Sequence, residues 1–166
     1  EKLVSKEAAQ RALDIINHLG GAAEEFRRNW LTIHAFSSEF DRTNQRHSLI
    51  SAIEAAISDE TAQRILDDLA QQISYLKKNP VGNLELSCSH PRFYQNARQD
   101  IAQATLLGRS AANRLGHLVC VVYQVRCNTE HGKKQLGTAR SQKLFSISNE
   151  IMNAVIPELL AAGAAA

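Results

Sequence analysis

Six histidines, His18, His34, His47, His90, His117 and His131, are the side chains best suited to move a proton or hold a metal near neutral pH. None lies three or four residues from another, and no His-Glu-x-x-His or Glu-x-x-His run occurs. On a helix that spacing is what puts two metal ligands on one face. The sequence therefore predicts no metal and no cofactor. The cysteines are Cys88, Cys120 and Cys127, an odd count without a Cys-x-x-Cys, so neither a disulfide framework nor a zinc site is expected. Glu24-Glu25 and Asp67-Asp68 are sequence neighbours, which a helix points about 100° apart. They form no acid/base dyad. Glycine-rich phosphate loops and strand–Ser–helix elbows are absent.

One short stretch carries a resemblance. Arg28-Asn29-Trp30-Leu31-Thr32-Ile33-His34 resembles the Arg-polar-(four to five residues)-His motif of HEPN domains, all-helical bundles of which many are metal-independent ribonucleases acting as dimers. The resemblance implies that Arg28 holds the scissile phosphate, that His34 is general acid or base, and that Asn29 supports both. A guanidinium can bind phosphate through two parallel hydrogen bonds. An imidazole near its natural pKa can shuttle the proton of a 2′-hydroxyl. Arg27–His34, Arg42–His47 and Arg126–His131 have similar spacing, but only Arg28 is followed by Asn.

A second group is a surface. On the stretch 91–127, the side away from the small residues carries Arg109, Asn113, Arg114 and His117; beyond it lie Arg126, Lys133, Lys134 and Arg140. Charge is uneven along the chain. Residues 1–90 hold 10 Lys/Arg against 13 Asp/Glu, and residues 91–166 hold 9 against 4. The basic loop 126–143 is thus where an anionic partner is expected. No aromatic residue is interleaved with it, so base stacking is not.

The elements that must position these residues are helical. Only three prolines occur, and strong turn signals are few. Apolar residues recur at helical spacing through 5–42, 45–78, 91–127 and 138–163. These four segments predict an all-α, antiparallel four-helix bundle with the first two helices interrupted, about six helical segments in a single domain over 1–166. The interruptions fall at Gly20-Gly21 and at Ser58-Asp59, the second reading as a fresh N-cap. Pro91 is placed to start the third helix and Thr138 to cap the last. Phe26, Trp30, Ile33 and Phe40 read as a core stripe.

The third segment is the longest. Its composition from His117 to Cys127 also suits a strand, but the apolar stripe Ile101, Ala104, Gly108, Ala111, Leu115, Leu118, Val122 runs through without a phase change. Along it Ala104, Gly108, Ala112, Gly116 and Cys120 are all small and four apart, a groove that admits another helix closely. No apolar run approaches the length of a membrane span. With unpaired cysteines this predicts a cytoplasmic setting. A start at Glu1-Lys2 is compatible with a domain excised from a longer chain. The functional expectation is a non-enzymatic helical-bundle module: regulatory, sensing or protein-interaction. It would engage a protein partner or a second copy through a helix face, or bind a small ligand between helices. The alternative is an HEPN-like RNA-binding or ribonuclease domain using Arg28 and His34.

Overall fold

In the computed structural model of the protein, residues 21–38, 40, 43–130 and 136–165 are described. Among them lie seven helices and no strand: α1 (Ala22–Ser37), α2 (Gln45–Ala56), α3 (Asp59–Asp68), α4 (Ala70–Lys78), α5 (Gln95–Ala104), α6 (Ala111–Glu130) and α7 (Ala139–Ala165). Several local signals act as expected. Ser58 accepts a hydrogen bond from the Thr61 N–H at 3.2 Å and starts α3. Thr138 accepts from the Ser141 N–H at 3.1 Å and starts α7. Residues 117–127 are helical.

The antiparallel four-helix bundle does not form. The expected helix 91–127 is two helices, because the chain turns back between Thr105 and Ser110. Thr105 closes α5 by bonding the Ile101 carbonyl through its hydroxyl (2.9 Å), and Ser110 opens α6 by accepting from the Asn113 N–H (3.2 Å). Two capping side chains five residues apart, with Gly108 between them, end one helix and begin another. The apolar stripe ran through without a phase change because both arms of the hairpin bury the same kind of face. Pro91 does not begin a helix either; it lies in a run of turns, and α5 begins at Gln95. The second segment bends once more than expected, at Leu69, where α3 passes to α4 without a glycine or proline.

The pairings differ too. Ala22 meets Asn149 and Phe36 meets Gly163, so α1 and α7 run in the same direction. An up-and-down bundle of four would oppose its first and last helices. The main packing pairs are α1 with α7, α2 with α6 and α5 with α6. Helix α6 is central. Leu115, Leu118, Val119, Cys120, Val121, Val122 and Val125 are all buried, on every side of it. A helix apolar all round is one surrounded by others, which explains why its composition also suited a strand. Phe145, Ile151, Met152, Val155 and Leu159 line α7 against this core. Pro157 interrupts no helix; the carbonyl it leaves unpaired is that of exposed Asn153. Phe26, Trp30 and Ile33 are core residues, but Phe40 is 50% exposed, because α1 has ended at Ser37.

Candidate functional site

The residues of the Arg28–His34 stretch separate in space. Arg28 and His34 are both exposed on α1. Six helical residues apart, they point about 120° from each other. Asn29 is turned inward and its amide donates to Asn149 (3.3 Å) and Asn153 (3.0 Å) of α7. Asn149 donates back to the Ala22 carbonyl at 2.8 Å, and Asn153 to Glu25 at 3.0 Å. Asn29 thus belongs to an amide ladder that sets α1 on α7. The His34 ring stacks on Trp30, with centroids 6.4 Å apart.

Of the expected surface residues, Asn113, Arg114 and His117 bond to neighbouring helices. Arg114 donates to the Ala104 carbonyl (3.0 Å) and to Gln63 (3.1 Å), tying α6 to α5 and α3. Asn113 donates to Glu54 of α2 at 2.9 Å and accepts from Arg109 at 3.1 Å. Arg126 pairs with Glu130 and lies 6.0 Å from the Trp30 ring centroid. Arg140 donates to the Pro80 carbonyl at 3.1 Å. Lys133 and Lys134 lie outside the described residues.

His117 leads to a cluster that spacing alone does not reveal. Its Nδ1 lies 3.2 Å from Oδ1 of Asp100, whose other oxygen pairs with Arg46. Asp100 is 1% exposed. Three helices, α2, α5 and α6, each give one member. Burial alone would lower the pKa of Arg46, but the Asp100 carboxylate outweighs it and the pKa rises, so the guanidinium stays charged. Burial pushes the adjacent Cys120 thiol up to about 12, helped by the same carboxylate. One signal was available: Ala97, Asp100, Ile101 and Ala104 share a helical face, so an aspartate stands in an otherwise apolar stripe. A buried carboxylate of this kind is ordinarily paired with a cation or satisfied by hydrogen-bond donors.

The row of small residues is split by the hairpin. Ala104 sits on α5, Gly108 in the turn, and Ala112, Gly116 and Cys120 on α6. A Cβ on Gly108 would meet nothing within 4 Å, whereas one on Gly116 would lie 2.9 Å from the Ile50 Cα. Cys120 meets the Arg46 carbonyl, Gly116 meets Ile50, and Asn113 meets Glu54, an antiparallel register of α2 on α6. Among the described residues, no three His, Cys, Asp or Glu side chains cluster to hold a metal ion, and no helix is long and apolar enough to cross a membrane.

Two hollows open at the surface. One, of about 450 Å³, lies between α4 and α5 above Leu76, Ile101 and Leu106, with Lys77 and Arg98 at its rim. The other, of about 360 Å³, is built by the connection between α4 and α5 and by the facing ends of α6 and α7. Val81, Leu84, Phe93, Tyr94 and Leu144 form its walls, and Asn128, Thr138, Arg140 and Ser141 supply polar groups. The connection is held in place by Asn128, 3% exposed, which donates to the Gly82 carbonyl at 2.7 Å and accepts from the Leu84 N–H at 3.0 Å. Asn83 N–H also closes on the Phe93 carbonyl at 2.7 Å. Gly82 is pressed so closely to the Phe93 ring that a Cβ would come within 2.1 Å of it. A long loop is thus fixed over a hollow by a buried amide and a glycine contact.

Comparison with known proteins adds no family: no family model matches the chain, no curated protein is significantly similar, and no solved structure matches.

Proposed function

We propose that this all-helical domain is a non-enzymatic sensing or regulatory module that binds a small molecule in the hollow beneath the Val81–Tyr94 connection. The observation that carries this reading is the cavity itself: about 360 Å³, apolar-walled, with a few convergent polar groups from α6 and α7. Its size falls in the range of roughly 300–1,000 Å³ usual for small-molecule sites. Residues from widely separated parts of the chain line it, so occupancy would alter how the connection sits on α6 and α7. That is the physical basis of a signal to a partner protein or a second copy. Unpaired cysteines, one of them exposed, fit a reducing, cytoplasmic setting.

The ribonuclease alternative has less support, because Arg28 and His34 diverge and Asn29 is engaged with α7. The test of the main reading is a nuclear magnetic resonance titration with small apolar alcohols and acids. Binding should shift amide signals of residues 81–94 and 138–144 selectively. Shifts spread evenly over the surface, or none, would remove the reading. Cleavage of RNA by the purified protein that is lost in His34→Ala would favour the alternative instead.

A further inference from the structure

The chemistry of the lining also bears on what the cavity takes. Resting on the cavity reading above, we infer that its ligand is a small apolar monocarboxylate, with the carboxylate at Arg140 and Ser141 and the hydrocarbon body against Leu84, Phe93 and Leu144. Three observations support this. First, among the described residues that line the cavity Arg140 is the one charged side chain, and none is Asp or Glu. Second, the exposed Arg140 donates one N–H to the Pro80 carbonyl, and among the described residues its other N–H groups have no hydrogen-bond acceptor. A guanidinium with spare donors suits a planar carboxylate. Third, Ser141 is only 5% exposed, and its hydroxyl pairs with that of Thr138 at 3.0 Å, so two hydroxyls stand beside Arg140 at one end of the cavity. A hydroxyl pair can pass a proton donor on to a bound carboxylate oxygen. One oxygen of the carboxylate can accept from that pair while the other faces the guanidinium. Away from Arg140 and Ser141 the lining is mainly the hydrocarbon of Val81, Leu84, Phe93 and Leu144, which suits an apolar body better than a sugar.

The probes are octanoate, octanol and octylamine, and the readout is protection of Cys88, an exposed thiol that lines the cavity, from a thiol-reactive dye. Titration calorimetry on the same samples gives the affinities. Octanoate should protect Cys88 and bind roughly ten- to hundred-fold more tightly than octanol, the range set by a charge-assisted hydrogen bond; octylamine should be weakest. Arg140→Gln, which keeps a donor for the Pro80 carbonyl, should erase the preference for octanoate, and Arg140→Lys should restore part of it. If octanol binds as well as octanoate, or if Arg140→Gln leaves octanoate unaffected, the carboxylate inference is overturned while the cavity reading stands. If none of the three protects Cys88 or gives heat, both fall.

Discussion

The Cβ that Gly116 lacks would lie 2.9 Å from the Cα of Ile50, closer than side chains and backbone normally approach. Helix α2 therefore lies directly on α6 at this point, and no larger residue fits without moving a backbone. Four residues on, Cys120 repeats the contact against the Arg46 carbonyl. Gly108, in the same sequence row, has open space around it.

This contrast makes a paired prediction. In an exposed helix, adding a side chain to glycine gains about 1 kcal/mol of helix propensity. At Gly116 that gain is outweighed by overpacking, and Gly116→Leu should cost about 1–3 kcal/mol. Gly108→Leu should change stability by less than about 0.5 kcal/mol. Urea unfolding, followed by the fluorescence of the single tryptophan, the buried Trp30, would measure both. Equal losses at the two sites would contradict the packing described here.

Asp100 should be the least replaceable carboxylate. Removing it in Asp100→Ala leaves the Arg46 guanidinium and the His117 ring without their acceptor between three helices. The expected loss is roughly 3 kcal/mol, the low end for breaking a buried pair, since Arg46 keeps about a third of its side chain in water. Asp100→Asn should lose less. A midpoint unchanged in urea would show that the cluster adds nothing to the fold.

The Cys120 thiol gives a pH dependence with a definite sign. Its folded pKa is raised to about 12 from an ordinary value of 9.0. Between these values the unfolded chain has released the thiol proton and the folded one has kept it, so this group's contribution is present below pH 9 and lost as pH rises towards 12. The melting temperature should fall across that window, and less so in Cys120→Ala. At neutral pH a thiol reagent should modify Cys88 first, half-buried Cys127 more slowly and Cys120 only on unfolding. Rapid native labelling of Cys120 would contradict the burial.

Asn128 should control the connection that roofs the cavity. Asn128→Ala removes the acceptor of the Leu84 N–H and the donor to the Gly82 carbonyl. A loss of about 1–3 kcal/mol is expected if the freed groups stay buried, and less if the loop opens to water. Hydrogen exchange distinguishes the two: amides of residues 82–94 should exchange faster while those of α6 stay protected. Unchanged exchange there would mean that the loop is held by other contacts, chief among them Gly82 against Phe93.

The sequence by itself determined what depends on local chemistry. Helical periodicity made the chain all-α, Ser58 and Thr138 started helices where a short hydroxyl can accept from the first turn, and Phe26, Trp30 and Ile33 fell on one buried face. It did not determine where a helix folds back when both arms show the same apolar face. Thr105 and Ser110 carried that information, but as two isolated caps within an unbroken stripe they were outweighed by the periodicity. Only the tertiary structure decided that α1 and α7 run the same way, because pairing direction rests on contacts such as Asn29 with Asn153, far apart in sequence. The same holds for function. Arg114, Asn113 and His117 looked like a free basic face because charged side chains usually seek water; in the fold they meet Ala104, Glu54 and Asp100 on two other helices. The cavity under Val81–Tyr94 has no signature of its own in the chain, since a surface hollow is set by where the ends of α6 and α7 stand relative to a distant loop.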